Sequence, residues 1–406
     1  MSLSYTDLCR QATLTRAMVD RFLDESAHNY AAFDPVLGYR LRDCIVRDGV
    51  DGANVVYRYE AGGERKRIAY ADRPCRLNTY GDSFTQCHQV SDGETWQEVL
   101  AAHLGEPIRN YGVGGYGVYQ AYRRLLGVEE GSQAAPYLLL NIFSDDHLRN
   151  LLRWRWLVIP GYWGVVPRDG GDLAVASMLH ANPWAHLAYD PEAQVFVERP
   201  SVCPTRASLT NLCDADWVVA TFRDDWVAQA VHITQGGTGY DVALLARYAE
   251  ALGVEPRLED EEAVRETATR ALRRCALAST RWILERLVAW ADEHGRRLMV
   301  ALSYGEGDVL AALEGRPLAD RALLATLDAL GLPRFDSLAA HVEDYQAFAI
   351  PPQAYVRRYY IGHYSPTGNH YFAHALMPDL VRWLDPPPLA YRAGSASLTE
   401  ITGELA

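Results

Sequence analysis

Lysine is almost absent from this 406-residue chain: Lys66 stands alone among 39 basic residues, and all the others are Arg. Acidic residues number 52, so the formal net charge is −13. A chain this acidic repels phosphate backbones, which argues against nucleic acid as a partner. A cationic anchor for an anionic membrane surface would look different. No run of 18 apolar residues occurs, so no transmembrane helix is expected. The first residues, MSLSYTDLCRQATLTRAMVDRF, lack an apolar h-region and do not read as a secretory signal. The seven cysteines are odd in number and include no CxxC pair. They read as reduced, buried thiols in a cytoplasmic protein. Repeats and low-complexity tracts are missing too. What is present is ordinary: 49% hydrophobic and 22% charged residues. That composition argues against disorder, and the length suffices for a sizeable core in one large or two ordinary domains.

Residues 1–74 read as an N-terminal extension, with a helix over Thr13–Ser26 and a hairpin in which Ile45–Val50 and Val55–Tyr59 flank Asp51 and Gly52. From Arg76 strands and helices alternate. Strands are expected at Arg76–Tyr80, Pro107–Tyr111 and Pro136–Phe143, with helices at Thr95–Leu104 and Tyr119–Leu126. The rhythm stops after Asn150. Residues 151–237 are rich in Trp, Pro and Gly and hold six of the ten Trp, so they read as an insertion or cap subdomain. Alternation returns with a long helix, Glu262–Glu293, and a strand, Arg297–Ser303. A helix near Leu318–Leu330, a strand around Leu332–Ser337 and a last helix from Pro366 to Leu384 follow. Strands separated by single helices argue for a parallel sheet covered on both faces. Residues 391–406 form a tail.

Three segments carry chemistry. In Tyr80-Gly81-Asp82-Ser83-Phe84-Thr85 a strand ends and a helix begins. Ser83 therefore stands at the C-terminal edge of the sheet, where such folds place ligands. Taken alone, it reads equally as a helix N-cap. In Asn110-Tyr111-Gly112-Val113-Gly114-Gly115-Tyr116-Gly117 the glycines permit close backbone approach, and their N–H groups suit an oxyanion. A plain tight turn fits as well. A phosphate cradle fits less, because no Gly-Lys-Ser/Thr follows. In Gly362-His363-Tyr364-Ser365-Pro366 the Ser-Pro pair starts a helix and leaves His363 in the loop before it. A loop His can act as general base or be purely structural. His370 and His374 lie one helical turn apart, with no acidic or Cys partner nearby in sequence, and no metal or other cofactor is expected.

In this order and placement, the three segments resemble the SGNH (GDSL) hydrolase superfamily. The resemblance covers roughly residues 75–150 and 265–385. It implies a three-layer α/β/α sandwich on a parallel, flavodoxin-like sheet, with a core of residues 75–150 and 238–390. It also implies an esterase in which Ser83 is the nucleophile and His363 the general base. The N–H groups of Ser83 and Gly115 are then oxyanion donors, with Asp82 beside the nucleophile as a supporting residue. Two positions depart from the family. Its Gly-x-Asn-Asp block is represented by Asn141-Ile142-Phe143-Ser144-Asp145-Asp146-His147, so Ser144 or Asp145 takes the place of the Asn donor. Asn141 comes too early unless the strand end bulges; His147, Arg149 and Asn150 are further donors. The Asp three residues before the His is replaced by Tyr360. A backbone carbonyl or a carboxylate such as Asp146, Asp336 or Asp344 must then orient the imidazole.

The implied reaction is hydrolysis of a carboxylic ester through an acyl-Ser83 intermediate. Trp154, Trp156 and Trp163, interleaved with Arg in LLRWRWLVIPGYW, suit stacking on a sugar ring and point to an O-acetyl or other acyl group on a carbohydrate. They equally suit a small subdomain core, and apolar rings also line lipid-acyl pockets. Two alternatives remain: an O-acyltransferase on the same residues, and a catalytically silent SGNH domain that binds a glycan or protein partner. The oligomeric state is not read from the sequence.

Overall fold

The apolar run Tyr137–Phe143 runs through the middle of a parallel sheet, as a segment buried on both faces must. The computed structural model describes residues 3–27, 29–164, 179–316 and 321–392. Its strands, in chain order, are β1 (Ala31–Asp34), β2 (Gly38–Leu41), β3 (Cys44–Arg47), β4 (Asn54–Tyr57), β5 (Leu77–Tyr80), β6 (Ile108–Asn110), β7 (Tyr137–Phe143), β8 (His186–Asp190), β9 (Val195–Arg199), β10 (Arg297–Ser303) and β11 (Arg334–Asp336). The chain divides into two compact units. The first holds Met1–Cys44, Gly115–Arg123 and Asp145–Arg286; the second holds Ile45–Gly114, Arg124–Ser144 and Leu287–Ala406. These cuts do not coincide with boundaries at 74/75, 150/151 and 237/238. The tail expected at 391–406 lies, from 393 onward, outside the described residues, as does 165–178 of the expected insertion.

The second unit contains the five-stranded sheet, in the order β6-β5-β7-β10-β11. All its pairs are parallel, with Leu77 opposite both Ile108 and Tyr137, Arg297 opposite Tyr137, and Val300 opposite Arg334. Counted along the chain, the spatial order is 2-1-3-4-5. The winding therefore reverses between β5 and β7, the kind of switch point at which open parallel sheets bind ligands beyond their strand ends. Each sheet strand lies inside or within a residue of the expected segment, because a buried apolar run bounded by turn residues has few other options.

Capping residues place the helices. Thr95 Oγ1 accepts the Glu98 N–H at 3.2 Å to start Trp96–Leu104, and Gly105 ends it in a left-handed conformation. Ser365 Oγ accepts the Gly368 N–H at 3.1 Å to start Pro366–Trp383. These two helices pack against each other, with the Trp96 and Phe372 rings 5.3 Å apart. Phe335 of β11 meets Phe372 at the same distance. The helix expected near Leu318–Leu330 is Ala322–Ala329, and residues 317–320 lie outside the described residues.

In the first unit, the described residues between Asn150 and Arg297 add no strand to the parallel sheet. This unit contains the antiparallel pair β8–β9 and helices Ala215–Phe222, Trp226–Thr234 and Val242–Ala251, besides the antiparallel pair β1–β2 and helix Tyr5–Ala12. These elements are short. Their apolar faces are satisfied by tertiary packing, so periodicity alone does not reveal them. All seven cysteines are free thiols; Cys9, Cys87, Cys203 and Cys275 are buried, whereas Cys44, Cys75 and Cys213 are partly exposed. Among the described residues no helix is long and apolar enough to cross a membrane.

One buried group makes the second unit sensitive to acid. His341, on helix Ser337–Tyr345, is fully buried among tyrosines, with Nδ1 3.1 Å from Tyr355 Oη and Nε2 3.3 Å from Tyr360 Oη. Burial pushes its pKa from 6.5 down to about 3. The unfolded chain takes up this proton near 6.5, whereas the folded chain does so only near 3. The stability contribution is therefore fully present above 6.5 and is lost as pH falls through that window, at up to about 1.4 kcal/mol per pH unit. His341→Gln is expected to flatten this dependence. In urea titrations between pH 7 and pH 4, wild type should lose stability more steeply than the variant; equal slopes would contradict the assignment.

Candidate active site

Gly81 allows the chain to turn from β5 into the next helix. Its φ is +153°, and a Cβ there would stand 2.2 Å from Thr85 Oγ1 and 2.5 Å from the Asn141 carbonyl oxygen. Only glycine permits that approach. Asp82 follows as the cap of the short helix Ser83–Gln86, with Oδ1 accepting the Phe84 N–H at 2.9 Å. Ser83 is thus the first residue of the helix, not its cap.

His363 is delivered by a tightly closed loop. The Ile361 N–H donates to the His363 carbonyl and the Ser365 N–H to the Tyr359 carbonyl, both at 2.8 Å. Across 280 residues of sequence, His363 Nε2 comes to 2.9 Å from Ser83 Oγ. Asp82 Oδ2 lies 3.2 Å from the same hydroxyl. The single hydroxyl proton therefore goes either to the carboxylate or to the imidazole. The Phe84 ring lies 5.1 Å from His363 and stacks on Phe143 at 4.5 Å, so the pair sits against an aromatic wall.

The residue that orients the imidazole is Gln89. Its Oε1 lies 2.9 Å from the His363 backbone N and 3.1 Å from His363 Nδ1. The backbone N–H can only donate, so the atom facing it must be the amide oxygen. That oxygen can only accept from Nδ1, so Nδ1 carries the proton and Nε2 keeps its lone pair toward Ser83. Gln89 Nε2 donates to the Asp48 carbonyl at 3.1 Å, which is consistent with this orientation. Gln89 itself has φ +73°, and its N–H donates to Tyr57 Oη at 2.7 Å. Gly362 is the second position that favours glycine, because L side chains rarely adopt its φ of +103°; a Cβ there would also come to 3.2 Å from Gln89 Oε1. The loop that carries Gln89 is held from below by Arg65. This buried guanidinium pairs with Asp92 at 3.0 Å and donates to the carbonyls of Gln86 (2.6 Å), Cys87 (2.9 Å) and Val90 (2.5 Å). The His88 ring lies 4.9 Å from His363, and His88 Nε2 stands 2.8 Å from Asp48 Oδ2.

The other expected site residues are placed as follows. Ser144 donates its hydroxyl to Asp308 at 2.8 Å. Asn141 stays in register on β7, with no bulge, and accepts from Ser303 Oγ at 3.0 Å. Asp336 caps helix Ser337–Tyr345 and pairs with Arg321 at 3.0 Å, and Asp344 accepts from Tyr355 and Tyr359. Neither is the partner of His363 Nδ1; that place belongs to Gln89. Tyr360 turns inward, donating to the Tyr304 carbonyl at 3.1 Å.

The remaining expected residues lie in the first unit. Gly115 has φ +85°, and its carbonyl accepts from Arg155 at 3.3 Å. Asp145 and Asp146 both bind Arg149 at 2.7 Å. His147 meets Thr280, and Asn150 bonds Ser279 and Thr280. The expectation of a Trp stacking platform is corrected by burial. Trp154 and Trp156 are 1% and 2% exposed and Trp163 is 9% exposed. Their indole N–H groups donate to the carbonyls of Ala181, Ala12 and Trp156, and Trp154 stacks on Phe222. They form a core and present no face to a ligand. The same unit contains a cavity of about 450 Å³ whose lining includes Arg153, His186, Arg199, Asp225, Trp226 and Tyr248. Burial pushes the His186 pKa down to about 4, so this imidazole is uncharged at neutral pH.

No family model and no curated protein matches this chain.

Sequence reasoning did not find Gln89. The only pointer to it is indirect: a loop His that serves as a base needs some group to hold its ring, and Tyr360, three residues before it, offers no carboxylate. A tautomer measurement tests the arrangement. In wild type, ¹⁵N chemical shifts should show neutral His363 protonated at Nδ1. Gln89→Leu should lose that preference, and an unchanged tautomer in the variant would show that Gln89 does not set it.

Proposed function

We propose that this protein is a serine esterase of the SGNH (GDSL) type, acting on a carboxylic ester. The observation that carries the reading is the 2.9 Å contact between Ser83 Oγ and a His363 Nε2 whose lone pair is aimed by Gln89. The 2-1-3-4-5 parallel sheet, with Ser83 following the strand at the switch point, supports the three-layer flavodoxin-like core that this reading requires. On this reading the core comprises residues 75–150 and 238–390.

The proposed mechanism uses this geometry. His363 Nε2 takes the Ser83 proton as Oγ attacks the ester carbonyl, forming the Oγ–C bond and placing negative charge on the carbonyl oxygen. The Ser83 N–H, at the first position of its helix, is a donor for that oxygen. Collapse breaks the bond to the alcohol, which takes the proton from His363. Water then attacks the acyl-enzyme with His363 as base, restoring the Ser83 hydroxyl and releasing the acid. Gln89 sets the tautomer but, being neutral, does not offset the imidazolium charge as a carboxylate would. Turnover slower than that of a full triad is the expected consequence; replacing the acid by its amide costs up to ~10⁴-fold in a well-studied protease.

The test is p-nitrophenyl acetate hydrolysis. Wild type should turn the ester over, and Ser83→Ala should lose at least ~10³-fold. A fluorophosphonate should label Ser83. Turnover that survives Ser83→Ala, or labelling at another residue, would defeat the proposal.

A further inference from the structure

The last turn of helix Trp96–Leu104 presents His103 beside His370 and His374 of helix Pro366–Trp383. All three imidazoles are exposed, and each offers a ring nitrogen such that the three atoms lie within 4.8 Å of one another. His374 is central: its ring is 4.6 Å from His370 and 4.8 Å from His103. His370 and His374, four residues apart, share one helix face, and a neighbouring helix supplies the third ring.

We propose that His103, His370 and His374 form a binding site for a divalent transition-metal ion, zinc being the reference case, that clamps these two helices together. Imidazole is the ligand type suited to Zn²⁺, Cu²⁺ and Ni²⁺, and three histidines leave one tetrahedral position for water. Nitrogens about 2.0–2.1 Å from a common zinc stand roughly 3–4 Å apart, so the observed spacing closes by side-chain rotation of exposed rings. The two helices already pack through Trp96 and Phe372, so their backbones are in place before an ion arrives. His103 also lies at a helix C-terminus, where the helix dipole favours a cation. The three ligands are ring nitrogens with no carboxylate among them, which separates the site from the oxygen-rich sites preferred by Mg²⁺ and Ca²⁺. The inference stands apart from the esterase reading, because none of the three residues takes part in that mechanism.

The experiment uses the full chain, stripped with chelator and then titrated with ZnCl₂ by calorimetry and by thermal melting. Wild type should bind one equivalent and melt at a higher temperature with zinc than without, whereas MgCl₂ should leave the melting temperature unmoved. His103→Ala keeps the helical His pair but removes the third ligand, and should weaken binding at least about tenfold; His374→Ala should do the same. His294→Ala, another exposed histidine, should leave binding unchanged. Tetrahedral Co²⁺ absorption should appear in wild type and vanish in His103→Ala. Zinc binding that His103→Ala retains undiminished, or a wild-type melting temperature indifferent to zinc, would overturn the proposal.

Discussion

One amide oxygen governs the geometry of the candidate site. Gln89 Oε1 accepts from both the backbone and the ring of His363, so a single acceptor fixes where the loop lies and which ring nitrogen is protonated. Without it, the lone pair of Nε2 has no reason to face Ser83. The oxygen is itself held at both sides: Asp48 accepts from the amide nitrogen of the same side chain, and Gly362 leaves room for the approach. The positive φ at Gln89 is a local cost sustained by its surroundings, chiefly the buried Arg65–Asp92 pair and the carbonyls that Arg65 gathers. Strain concentrated on a loop that presents a polar atom to an imidazole is commonly a functional feature.

A neutral amide in this position changes the electrostatics. A carboxylate would both orient the ring and stabilise its positive form, whereas Gln89 does only the first. The negative charge nearest in sequence to the nucleophile is Asp82, within reach of the Ser83 hydroxyl. The hydroxyl therefore has two acceptors, and on the proposed reading a substrate carbonyl approaching Oγ would enter a site whose ground state is shared between them. The proposed chemistry thus depends more on pre-alignment than on charge compensation.

The two units divide their chemistry differently. The second unit uses its polar residues for defined contacts around a parallel sheet: Glu129 accepts from Asn78 and Tyr80, Gln86 from Gly114, and Asp92 from two arginines. The first unit is filled by tryptophans, each with its N–H bonded to a backbone carbonyl in the cases of Trp154, Trp156 and Trp163. A large ring that satisfies its one donor locally is stable in a core and has no need of a ligand. That explains how a segment with the composition of a sugar platform serves as packing.

The sheet strands, the glycine before Ser83 and the Ser-Pro start of the last helix were legible in the residues, because apolar runs, tight turns and caps are local properties. The segments holding Ser83 and His363 were legible for the same reason. Gln89 was not. Nothing in its sequence neighbourhood marks it, and it acquires a role only when two loops 274 residues apart meet. His103 joins His370 and His374 in the same way, through the packing of one helix on another. The burial of Trp154 and Trp156 was equally beyond reach, since a tryptophan's hydrophobicity is the same whether it lines a core or a cleft. Local chemistry determined the elements and the reactive residue types; long-range packing decided which polar atoms stand next to one another, because that depends on distances the linear order of residues does not contain.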